Sequence, residues 1–184
     1  LLQLTHLEAG HNSDILSGLE RRLVINWRSR NSKRITIHDL EIFEIRPDGF
    51  VRPFPGYSEI RVRHDELTEI FRNQEANSEW RDKLSSVSGI YLVSHKERPE
   101  LYVGSAYGEN GIWGRWGFYA KNASGGNKEL VSENLADRNF GKNCYWSMLE
   151  NLPINTPSKE VIRIENLWKS KLGTRARGHG FNLN

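Results

Sequence analysis

Cysteine is almost missing from this chain. Cys144 is the only one in 184 residues, so neither an internal disulfide framework nor a cysteine-rich zinc cluster can form. Its expected role is a small buried apolar residue, and a reducing, cytoplasmic setting is the simplest inference. Long apolar runs are missing as well, so no membrane span is expected. No signal-peptide pattern opens the chain, and a first residue of Leu1 rather than Met reads as a trimmed or partial start. His6, His11, His38, His64, His95 and His179 show no ligand spacing, which argues against a zinc site. Acidic residues stop at Glu165. Beyond it come Lys169, Lys171, Arg175, Arg177 and His179.

Aromatic residues are what the chain does have. Apolar content is only 37%, with mean hydropathy -0.65, but six Trp, six Tyr and seven Phe supply a core and argue against disorder. The length suits one domain, or a small domain with an annex. Net charge is +3 and unevenly spread: residues 1–88 carry 13 basic and 14 acidic side chains, residues 89–184 carry 13 and 9. A basic C-terminal half suits an anionic partner such as nucleic acid.

Along the chain, Ile35–Ile45 ("ITIHDLEIFEI") is β-branched and largely alternating, and "RPDGF" supplies a turn. "VRPFPGYSEIRV" reads as extended, proline-interrupted structure. Helices are predicted from His64, with Leu67, Ile70 and Phe71 on one face, and over "SEWRDKLSSV". "GIYLVS" and "ELYVGSA" read as strands joined by the hairpin-length "HKERP". "GIWGRWGFYAKNA" looks helical despite its glycines, Asn127 can cap the next helix, and "NCYWSMLEN" is a strand candidate. The last helix has the firmest signals: Thr156 as N-cap, Pro157 at its first position and Gly173 just past its end. These elements predict an α+β chain, with an α+β annex over residues 1–87 and a small antiparallel sheet flanked by helices over 88–184.

In the last helix Val161, Ile164, Trp168 and Leu172 form an apolar stripe, and Glu165 lies only about 40° from Val161 at 100° per residue. A carboxylate there is costly unless something pairs with it: it reads as a core salt bridge or a snorkelling edge residue, or as a metal ligand or acid/base at the floor of a cleft. Near the other end, Glu20–Arg34 holds six basic residues and one acid around Trp27. Arg28 and Arg30 in this segment are candidate DNA contacts, the alternative being a solvated face. "RPDGF" followed by "EIR" (Pro47–Asp48, then Glu59–Arg61) resembles the PD…ExK pattern of one nuclease class, but Arg61 stands where that pattern has lysine and Asp48 suits a turn before Gly49.

"GIY" at Gly89–Tyr91 and "YVG" at Tyr102–Gly104 resemble the two signature tripeptides of the GIY-YIG endonucleases. That family carries an arginine on the first helix after the hairpin, where Arg115 stands, and a His or Tyr one turn later, where Tyr119 stands. It carries a glutamate on a later helix, matching Glu165, and a terminal asparagine, matching Asn182 with Asn184 as the competing choice. The resemblance covers roughly residues 88–184. It is strongest to the bacterial group with "RW..Y" and "GGN" after the hairpin, some of which resemble restriction-type nucleases.

The resemblance implies metal-dependent hydrolysis of DNA phosphodiesters. Glu165 would hold Mg²⁺ or Mn²⁺, and Arg115 would grip the phosphate. Tyr91 would act as general base with Tyr102 orienting it, a role that needs its phenol lowered toward neutrality. Tyr119 would donate to the phosphate or leaving group, and Asn182 would position Glu165 or a phosphate oxygen. Gly89 and Gly104 would let backbone approach the phosphodiester, and Lys169 would touch the DNA backbone or stay solvated. Cutting both strands with one small site implies a homodimer or two encounters. A structure-specific resolvase or repair nuclease, and a non-catalytic binding module of the same fold, are the competing readings.

Overall fold

The computed structural model describes residues 2–3, 18–19, 22–26, 41–175 and 180–182. The chain divides into two compact units, 1–50 and 51–184. In the first, strands β1 (Leu2–Gln3), β2 (Leu23–Asn26) and β3 (Glu41–Ile45) form an antiparallel sheet in that order. Leu23, Val24 and Ile25 are buried, while Ile42, Phe43 and Ile45 are exposed. The Asp48 carboxylate accepts the Gly49 N–H at 3.0 Å and Gly49 has φ 74°, so Asp48 is a turn residue. Arg28, Arg30 and the rest of their basic segment around Trp27 lie outside the described residues.

The second unit is built on a four-stranded antiparallel sheet of β4 (Arg61–Arg63), β5 (Val87–His95), β6 (Leu101–Ala106) and β7 (Cys144–Pro153), ordered β4-β7-β5-β6. Five helices accompany it among the described residues: α1 (His64–Arg72), α2 (Ser78–Ser85), α3 (Gly111–Asn122), α4 (Lys128–Ala136) and α5 (Ser158–Leu172). The chain is therefore α+β, and none of these helices is long and apolar enough to cross a membrane.

Strand alternation sends successive side chains to opposite faces. Tyr91, Val93 and Tyr102 join a core with Leu67, Ile70, Trp80, Ile112, Trp116 and Tyr119 from α1, α2 and α3. Ile90 and Val103 face the other way, onto Val161 and Ile164 of α5. This packing moves the expected domain boundary. The sequence suggests a division at 87/88, but Val62 of β4 pairs opposite Trp146 of β7, and α1 and α2 contribute Leu67, Ile70, Trp80 and Leu84 to the same core as Tyr91. Residues 51–87 thus complete the sheet and its cover.

Local signals set two of the helix ends. Asn127 caps α4 by accepting the Leu130 N–H at 3.0 Å, and Gly173 closes α5 in the left-handed region at φ 63°. The start of α5 differs by one residue from expectation. Pro157 takes the cap position, and the Thr156 hydroxyl donates to the Pro153 carbonyl at 2.7 Å instead of capping the helix.

Candidate active site

The hairpin register puts Tyr91 opposite Gly104 and Val93 opposite Tyr102. Both tyrosines face α3, with ring centroids 6.4 Å apart. The Tyr91 ring lies over Gly104, and any Cβ at 104 would run into it. At Gly89 a Cβ would meet the Glu150 carbonyl oxygen at 2.5 Å and Met148 at 2.9 Å, beside the β5–β7 bulge. Neither glycine opens backbone to a phosphodiester, contrary to the expectation for Gly89 and Gly104. One makes room for a tyrosine ring, the other for a neighbouring strand.

Arg115 sits on α3, one turn before Tyr119. Its Nε donates to the Tyr91 hydroxyl at 3.0 Å and its Nη1 donates to the Gly125 carbonyl at 3.0 Å. The Tyr91 and Tyr119 hydroxyls lie 3.1 Å apart. Gly125 has φ 55°, and its missing Cβ leaves room for the Tyr119 ring. The guanidinium is thus fixed by two bonds on one side. Its remaining donors serve the cleft that Arg115 lines.

Burial pushes the Tyr91 phenol far above its ordinary range. The Tyr102 oxygen adds to this, and the nearby Arg115 charge and the Tyr119 hydrogen bond offset only part of it. Tyr119 is raised by the same desolvation. With only the Arg115 guanidinium beside it, complete burial dominates and holds the Tyr91 phenol away from neutrality.

These shifts make stability pH-dependent. An exposed phenol titrates near pH 10, so above about pH 10 the unfolded chain loses protons that the native chain keeps. Stability from these groups is complete below that pH and falls above it, by up to about 1.4 kcal/mol per pH unit for each. Alkaline unfolding is expected to begin near pH 10, with at least two of the six tyrosines ionising only as the fold is lost. Tyr119→Phe should make the fall shallower. All six ionising in an intact fold, followed by absorbance near 295 nm and circular dichroism, would contradict this.

Glu165 approaches from the opposite face of the sheet, around the edge strand β6. Its Oε1 pairs with Lys169 Nζ at 2.6 Å, and its Oε2 accepts the Ser105 hydroxyl. The Lys169 side chain is only 3% exposed, so it is an internal partner of Glu165 and neither a DNA-backbone contact nor a solvated lysine. Asn182 is buried, and its carboxamide clamps the edge of β6: Oδ1 accepts the Val103 N–H at 2.9 Å and Nδ2 donates to the Val103 carbonyl at 2.8 Å. The hydrogen-bond partners of that amide are the β6 backbone and not Glu165. Asn184 lies outside the described residues.

A cleft of about 480 Å³ joins the two sides of this edge, lined by Tyr91, Tyr102, Ser105, Arg115, Phe118 and Glu165 among others. Four of the expected residues therefore converge, from β5, β6, α3 and α5. Tyr119 stands behind Tyr91 and does not line the cleft, so its expected contact with phosphate becomes support of Tyr91. Ser105 went unpredicted, although strand alternation from Val103 puts it on the α5 side, next to the Glu165 stripe. Burial pushes the Cys144 thiol up to about 12, which leaves it inert at neutral pH.

Among the described residues no cluster of three or more His, Cys, Asp and Glu could hold a metal ion. A closed metal cage is thereby absent from them, but an open site is compatible with Glu165. Each carboxylate oxygen has two lone pairs, and Lys169 and Ser105 take one donor position on each. Mg²⁺ is usually held by one or two carboxylates, with water and substrate phosphate completing its shell. The Glu165 carboxylate, lining one cleft with Arg115, fits that pattern. No protein-family model matches this chain, and neither does any curated protein or solved structure.

Proposed function

We propose that the second unit is an endonuclease domain that hydrolyses phosphodiester bonds in DNA with the aid of Mg²⁺ or Mn²⁺. The observation that carries this reading is the convergence of Tyr91, Tyr102, Arg115 and Glu165 on one cleft, although 74 positions separate the first from the last. Arg115 binds non-bridging phosphate oxygens with the donors left free by Tyr91 and Gly125, holding charge that grows in the transition state. Tyr91, enclosed and kept neutral by burial, accepts from Arg115 and so holds the guanidinium in place at the cleft. Tyr102 borders the same space from the neighbouring strand. Glu165 would hold the divalent cation, which would supply Lewis-acid polarisation of the phosphate. Lys169 neutralises part of that carboxylate's charge, which would weaken its hold on a cation in the free protein.

Lys169→Met is accordingly expected to tighten Mn²⁺ binding by the free protein several-fold, read by titration with Mn²⁺ paramagnetic resonance. Unchanged affinity in a folded variant would remove Lys169 from cation control. The function itself is tested by incubating the protein with supercoiled plasmid and with branched oligonucleotides, with Mg²⁺ or with EDTA. Cleavage with Mg²⁺ only is expected. Binding without turnover under any divalent cation would favour a non-catalytic binding module. A cytoplasmic role in restriction or defence predicts cutting of the plasmid, and cutting both of its strands calls for a homodimer or two encounters. A repair or resolvase role predicts preference for the branched DNA.

A further inference from the structure

The cleft rim carries two large aromatic side chains that the hydrophobic effect should have removed from water. Tyr107 is 47% exposed and Phe118 is 56% exposed, and both line the cleft that holds Arg115 and Glu165. Isolated exposed aromatics need no explanation, but these flank a site of proposed phosphate chemistry. Phe118 also borders a second groove of about 510 Å³, which shares Asn110 and Gly114 with the first. The floor of this groove is an aromatic stack, Phe71 on Trp113, with centroids 3.8 Å apart and planes 20° apart. Arg72 and Lys121 line it, and no carboxylate does. Arg72 also pairs with Glu69 at 2.7 Å, while Lys121 Nζ lies 5.9 Å from the Phe118 ring centre.

We infer that the two grooves form one continuous track for unpaired nucleotides, with Tyr107 and Phe118 as stacking platforms beside the scissile phosphate. Aromatic faces interleaved with cations are the surface that single strands select, because every base offers a π face and every linkage a charge. In a regular duplex those base faces are buried in the stack, so Tyr107 and Phe118 have nothing to meet unless bases are unstacked. Continuity through Phe118, and a second groove that carries Arg72 and Lys121 but no carboxylate, favour a polyanion over an apolar peptide. The inference rests on the endonuclease reading and narrows its substrate to DNA that is single-stranded or frayed at the cut.

The test uses the full chain in EDTA, which prevents turnover, with a fluorescent single-stranded oligonucleotide and a duplex of the same sequence. The single strand should bind at least about tenfold tighter than the duplex. Phe118→Ala and Tyr107→Ala should each weaken single-strand binding about fivefold or more, the effect of losing one base–aromatic stack. Both side chains are substantially exposed, and unchanged melting temperatures would confirm that the variants fold. Equal or tighter duplex binding overturns the proposal, as does wild-type single-strand affinity in both folded variants. Failure to bind either oligonucleotide overturns this proposal and the nuclease reading together. Single-strand preference without cleavage in Mg²⁺ or Mn²⁺ supports the track and sinks the hydrolytic assignment alone.

Discussion

Arg115→Ala is expected to slow DNA cleavage at least about a hundredfold, the scale of losing one oriented transition-state donor. The loss has two sources. The phosphate loses a forked donor, and the Tyr91 hydroxyl and Gly125 carbonyl lose the groups that donate to them at 3.0 Å. The second effect is structural and costs about 1–3 kcal/mol for each buried group left short of a partner. Arg115→Lys separates the two sources. An ammonium restores the charge but cannot hold Tyr91 and Gly125 and also face the cleft. It should rescue little in single-turnover assays at saturating protein. Near wild-type rates in Arg115→Lys would mean that charge alone suffices and the fork does not bind phosphate.

Glu165→Ala should destabilise the second unit by about 3 kcal/mol or more, because it breaks an ion pair whose lysine is almost fully buried. For a chain of this size that is a fall in melting temperature of roughly 6–12 °C, together with loss of cleavage. Glu165→Gln should be milder for the fold. Its carbonyl can still face Lys169 and its amide can donate to Ser105, but cleavage should still disappear, since the carboxylate proposed to hold the cation is gone. The double variant Glu165→Ala with Lys169→Met removes both charges and should recover much of the stability while staying inactive. If Glu165→Ala melts with the wild type, the pair contributes nothing to the fold and the buried position of Lys169 needs another cause.

The elements of the second unit were legible because local chemistry specifies them. Asn127 and Gly173 mark helix ends through their own hydrogen bonds and backbone freedom. The alternation of "GIYLVS" and "ELYVGSA" survives as β5 and β6 because each face of those strands is buried against a different layer. The position of Glu165 inside an apolar stripe was also readable, since helical periodicity puts it there whatever surrounds the helix. Its proposed roles were not separable at that level: the stripe demands a partner for the carboxylate without naming it.

Tertiary structure chose the partner. Lys169 is one helical turn from Glu165, a spacing found equally in solvated surface pairs, and only packing against the sheet edge makes the pair internal. The same holds for the glycines. "GIY" and "YVG" present Gly89 and Gly104 as equivalents, yet one is pressed by β7 and the other by the Tyr91 ring, because register and bulge are decided across strands. Sequence alone set the α+β class, the aromatic hairpin and the helix carrying Glu165, all of which depend on neighbours a few residues apart. Only the assembled sheet decided that β4, α1 and α2 belong to the second unit, that Asn182 clamps Val103, and that burial raises the Tyr91 phenol. Each of those outcomes depends on burial and on partners far away in the chain, which no local pattern encodes.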